Sequence, residues 1–148
     1  MRIVIIEYDT FYLKLAKEGI VQGFPGVEVI SFRNVGDFLV QAEELRNADA
    51  VVMEHFLPLV EYRPDHDSWV ASLTTQFPEV VKSWDHQEGG ERLVRWMRRN
   101  DMKMPVLFQT HSPENRIVGD VVESNVYYHR KSTRREELAE SVKAMLGN

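Results

Sequence analysis

Four polar side chains stand where apolar runs end: Glu7 after Ile3-Val4-Ile5-Ile6, Glu54 after Ala50-Val51-Val52-Met53, Thr110 after Val106-Leu107-Phe108-Gln109, and Lys131 after Tyr127-Tyr128-His129-Arg130. A buried strand that delivers a carboxylate to a sheet edge must also supply a partner for it, because an unpaired charge out of water is costly. Thr110 and Lys131 are of the residue types that can serve as such partners.

Other chemistries fit less well. The five histidines do not form a His-x-x-x-His ligand pair, and the acidic segments Asp65-His66-Asp67 and Asp85-His86 read as solvated loop. Ser112 reads as a helix cap and no Gly-x-Ser-x-Gly elbow occurs, which disfavours a hydrolase. Gly89-Gly90 lacks the lysine of a phosphate-binding loop. With no cysteine there is neither a disulfide nor a thiolate site.

The 148 residues, 43% of them hydrophobic, suit one domain covering 1–148. Its apolar runs are far too short for a membrane helix or a signal peptide, so a cytoplasmic protein without membrane contact is expected. A net charge of -5 disfavours nucleic acid as a partner. The basic clusters Arg92, Arg95, Arg98, Arg99, Lys103 and Arg130, Lys131, Arg134, Arg135 read as solvated helix surface balanced by glutamates.

Alternating patterns must position the polar residues. Strands are predicted over 2–7, 27–32, 48–54, 105–110 and 125–131. Asp9 or Thr10 caps a first helix with Phe11, Leu15, Ile20 and Val21 as its apolar positions, and Asn34 caps a second. Residues 91–100 form a further helix, Ser112-Pro113-Glu114 starts another, and Thr133 to Glu136 has capping-box spacing ahead of a last helix closed by Gly147. Such alternation predicts a parallel α/β sheet covered on both faces, with any site at the carboxyl ends of its strands.

The strand-end acid, hydroxyl and lysine, in that order and at these intervals, resemble the receiver domains of bacterial response regulators. The resemblance implies a flavodoxin-like (βα)5 three-layer sandwich with a five-stranded parallel sheet in the order 2-1-3-4-5. It places Glu54 at the phosphoacceptor position, normally aspartate, and gives a pocket of Glu7, Tyr8, Asp9, Glu54, Thr110, His111 and Lys131. Tyr128 falls on the aromatic whose rotamer reports the switch in that family. A magnesium ion is implied at Glu7, Asp9 and Glu54.

Departures from the family pattern weaken that chemistry. Tyr8 replaces the second metal-binding acid, and magnesium needs hard oxygen ligands. His111 is bulky where a small residue keeps the pocket open, and Ser132 replaces the proline after the lysine. Glu54 reaches about 1.5 Å further than aspartate, enough to misplace an in-line acyl phosphate and to carry its charge toward Thr110 and Lys131. The expectation is a Glu54 to Lys131 ion pair that holds one fixed conformation, the alternative being structural filling after loss of function. Between the third strand and third helix, roughly 25 residues within 59–88 exceed what a loop and helix require. Trp69, Val70, Leu73, Phe77, Val80, Val81 and Trp84 predict short helices broken at Pro78, either covering the pocket, forming a docking surface or extending the core.

The expected protein is therefore a stand-alone atypical receiver, a pseudo-receiver that signals by protein-protein contact and is not an enzyme. It would need no cofactor, with magnesium weakly held if at all. The alternative is a working phosphoacceptor that uses Glu54 and magnesium. By the resemblance, partners are a histidine kinase or a downstream effector, and a homodimer would form through helix 4, strand 5 and helix 5, within 112–146.

Overall fold

The computed structural model describes residues 1–111 and 125–147. The expected helix starting at Ser112 lies outside the described residues, as does most of the helix 4 side of the expected dimer face. Five strands, β1 (Arg2–Ile6), β2 (Glu28–Phe32), β3 (Ala50–Met53), β4 (Val106–Thr110) and β5 (Val126–Arg130), form one sheet. All its pairings are parallel, in the order β2-β1-β3-β4-β5. This is the flavodoxin-like architecture, in the strand order that the resemblance implies.

The inner strands are apolar at consecutive positions because both faces of a parallel sheet are covered. On one face Val4, Ile6, Val51, Met53, Val106 and Phe108 pack under α2 (Val35–Gln41), α3 (His66–Gln76), α4 (Pro78–Val81) and α5 (Gly89–Arg99). On the other Ile3, Ile5, Ala50, Val52 and Leu107 pack under α1 (Thr10–Gly23) and α6 (Arg135–Leu146). Full burial of each Ile or Leu contributes about 1.5–3 kcal/mol, so the sheet positions its strand ends rigidly.

Local signals explain most boundaries. Asp9 caps α1 by accepting from the Phe11 and Tyr12 amides, and Asn34 caps α2 by accepting from the Asp37 amide. Pro78 separates α3 from α4, and Gly147, at φ 81°, ends α6 in the left-handed region that glycine tolerates. Leu73, Val80 and Val81 are buried, and Trp69, Phe77 and Trp84 pack against the same core. The 59–88 segment therefore extends one core layer with most of its large apolar groups.

Three local expectations differ. The second helix tightens into a 3-10 turn over Ala42–Leu45. Phe11 and Val21 are exposed, at 56% and 55%, because α1 turns Ala16, Gly19 and Ile20 inward instead. The Thr133 capping box does not form. Arg134 is the helix cap and lacks a side-chain cap bond, while the Ser132 hydroxyl accepts from its amide and Glu136 pairs with its guanidinium.

Candidate functional site

The parallel ladder brings four polar strand ends together. Glu7 and Glu54 directly follow β1 and β3, and the Glu54 amide donates to the Ile6 carbonyl at 2.9 Å. The Lys131 amide donates to the Thr110 carbonyl at 3.1 Å, so β4 and β5 deliver their ends at the same level. Thr110 and both glutamates are buried.

Lys131 closes the cluster. Its Nζ lies 2.5 Å from Glu7 Oε1 and 2.6 Å from Glu54 Oε2, and its side chain is only 4% exposed. The remaining carboxylate oxygens are occupied too: Glu54 Oε1 accepts from the His55 and Phe56 amides, and Glu7 Oε2 accepts from the Asp9 amide. Tyr12 roofs the ammonium, with its ring centroid 4.5 Å from Nζ, and the exposed His111 packs edge-on against Tyr12.

Two carboxylates share one ammonium, so the fully ionised cluster carries one surplus negative charge in a desolvated place. Burial pushes the Glu7 carboxyl above its ordinary range, despite the Lys131 charge that opposes the shift. Burial alone would push Lys131 down; the Glu54 and Glu7 carboxylates together outweigh it and hold the ammonium above the ordinary lysine range.

The residues do not fit a magnesium ion in this arrangement. Magnesium requires near-octahedral oxygen ligands at about 2.0–2.1 Å. Lys131 lies between the two carboxylates, Asp9 turns its carboxylate to the start of α1, and Tyr8 is half exposed beneath the Arg33 guanidinium. Among the described residues there is no group of three side chains placed to hold a metal.

A second buried pair lies next to the first. His55 Nε2 is 2.9 Å from Glu91 Oε1, both side chains are about 5% exposed or less, and Arg95 approaches Glu91 at 3.7 Å. Gly90 permits this approach. A Cβ there would stand 2.7 Å from both the Glu54 carbonyl oxygen and Phe108 Cε1. Tyr128 stacks on Phe108 from β5, and burial, then the Glu91 charge, raise its phenol pKa.

Sequence reasoning anticipated Glu7, Glu54, Thr110 and Lys131 at the strand ends, and His55 near them, but missed Tyr12 and the Glu91 that His55 meets. The adjacent Gly89-Gly90-Glu91 was the available signal, since paired glycines opening a helix suit close backbone approach. The basic clusters are largely engaged: Arg92 donates to the Lys82 carbonyl, Arg98 to the Met102 carbonyl, and Arg135 pairs with Glu18.

No protein-family model matches the chain, and no curated protein matches it. Solved structures do. The receiver domain of RcsB from Salmonella enterica serovar Typhimurium superposes with a TM-score of 0.69 at 13% identity, over 100% of this chain and 89% of that one. The receiver domain of RcsB from Escherichia coli gives 0.70 at 12% identity, over 99% and 93%. The receiver domain of a LuxO repressor protein from Vibrio parahaemolyticus gives 0.66 at 18% identity, over 99% and 89%. Against a Salmonella RcsB chain bound to the rprA promoter the chain spans 62% of the length. The fold is thus that of response-regulator receiver domains. No helix among the described residues is long and apolar enough to cross a membrane.

Proposed function

We propose that the chain is a receiver-like signalling module that works through protein-protein contact without phosphorylation of an aspartate or of Glu54. One observation carries the reading: the Lys131 ammonium is bound by Glu7 and Glu54 together, within 2.6 Å of each. Both Glu54 oxygens are engaged in this arrangement, Oε2 by Lys131 and Oε1 by two amides, which supports a carboxylate that is held and not offered to a phosphoryl donor. Tyr8 supplies no carboxylate for magnesium, and His111 with Tyr12 covers the approach. The ammonium lies where a metal would need to meet both carboxylates, which supports a structural cluster in place of a catalytic one.

Receiver folds act by presenting a surface to a kinase or an effector, and this chain is read as doing the same. On this reading no cofactor is required. Incubation with acetyl phosphate and magnesium, read by intact mass, is expected to leave the mass unchanged under conditions that label an ordinary receiver. An added phosphate that Glu54→Gln abolishes would establish the other reading, a working phosphoacceptor.

A further inference from the structure

Beside the carboxylate cluster lies a cleft of about 570 Å³ whose lining includes Tyr8, Phe56, Pro58, Glu61, Tyr62 and His86. Its size falls within the range of small-molecule sites, about 300–1,000 Å³. The position also suits a ligand, since it lies beyond the carboxyl ends of β1 and β3, where open parallel sheets receive theirs.

The walls are preformed. The Val35 amide donates to the Pro58 carbonyl at 3.1 Å and the Gly36 amide to the Leu59 carbonyl at 2.7 Å, fastening one wall to the start of α2. The Leu57 amide donates to the His86 carbonyl at 3.1 Å and fastens the other. A Cβ on Gly36 would stand 2.9 Å from the Leu59 oxygen, so the wall sits against bare helix backbone.

The lining has a definite chemistry. Tyr8 is 50% exposed and Tyr62 is 86% exposed, each with one ring face taken, Tyr8 by the Arg33 guanidinium and Tyr62 by the stacked His66 ring. Large exposed aromatic surface of this kind marks contact sites more than stable packing. Glu61 is the one acidic side chain in the lining among the described residues, ion-paired through Oε1 with Arg33. The rim already displays the recognition mode: the planar Arg33 cation lies 5.5 Å from the Tyr8 ring centroid and forms an ion pair with Glu61, Nε to Oε1 at 2.9 Å. A flat cation on a tyrosine face with a carboxylate acceptor is a favourable arrangement.

We propose that this cleft binds a small planar aromatic molecule bearing a protonated amine, its ring against Phe56 and the open faces of Tyr8 and Tyr62 and its amine sharing the Glu61 carboxylate with Arg33. Such a ligand would touch the loop that holds Glu54, because the Phe56 amide donates to Glu54 Oε1 at 3.2 Å. The site does not depend on the phosphorylation reading. A phosphate adduct on Glu54 would overturn that reading and leave this one standing.

Amide chemical-shift titration of the full chain tests it with three probes. Tryptamine has ring and amine, 2-cyclohexylethylamine has the amine without the flat ring, and indole-3-acetate has the ring with the opposite charge. Tryptamine is expected to shift the amides of Tyr8, Phe56, Glu61, Tyr62 and His86 saturably, with indole-3-acetate weaker and 2-cyclohexylethylamine silent. Tyr62→Ala, at a position too exposed to matter for folding, should weaken tryptamine about tenfold by loss of one stacking face. The proposal falls if tryptamine does not saturate below about 10 mM, the range of weak fragment binding. It falls equally if the shifts map elsewhere, if either control probe matches tryptamine, or if Tyr62→Ala binds it like the unaltered chain.

Discussion

Lys131 is the residue on which the buried charges depend. Removing one member of a buried ion pair leaves the others uncompensated, at a cost of about 3–5 kcal/mol. Lys131→Met should therefore lower the denaturant-unfolding free energy by about that amount at neutral pH. The loss should shrink in acid. Glu7 has a raised pKa in the folded chain, so its folding contribution is fully present below the unfolded value of 4.5 and is lost as pH rises through the folded value. Without the ammonium, protonating that carboxyl relieves the buried charge, so the variant should approach the parent as pH falls. A constant gap between them from pH 8 to pH 4 would show that Lys131 stabilises by packing alone.

Among the elements, α5 is set most closely against the site. Its Gly90 amide donates to the His55 carbonyl at 2.9 Å, and the helix reaches the loop after β3 without a side chain between them. Gly90→Ala must displace the Glu54 carbonyl or the Phe108 ring, and overpacking of this kind costs about 1–3 kcal/mol. The expected result is a lower thermal midpoint together with altered amide shifts at His55 and Phe56. Lost stability without altered shifts there would mean that the strain goes elsewhere.

Element order was legible because each strand is an apolar run bounded by polar or turn residues, and because Asp9, Asn34, Pro78 and Gly147 act through local rules. Partner choice was less so. That Lys131 takes Glu7 as well as Glu54, that Tyr12 covers it, and that His55 finds Glu91 depend on directions fixed only when distant elements pack. Even a local rule failed at Thr133, where Arg134 attracted both Ser132 and Glu136. The sizeable segment 59–88 was visible as a spacing excess. Its use mainly as core, with one cleft wall at its start, was a matter of packing.

At the scale of the whole molecule, alkaline pH tests how the parts combine. Lys131 keeps a pKa above 10.5 in the fold, so its contribution is fully present below 10.5 and is lost as pH rises through the higher folded value. Tyr128 is raised above 10.0 and has the same sign. Equilibrium unfolding should show stability falling in this alkaline window, and Tyr128→Phe should retain the share of the fall that belongs to Lys131. If Lys131→Met has the same alkaline limb as the parent, the cluster does not produce it.

Glu7 follows the first strand and Lys131 the fifth, and they meet at 2.5 Å. During synthesis on the ribosome, β1 and β3 emerge with their carboxylates long before the ammonium that neutralises them. The nascent chain therefore cannot settle into its final sheet gradually from the front. Completion waits for the last strand, and a chain halted before Lys131 would remain a substrate for chaperones and proteases, much as incompletely assembled multi-strand intermediates do.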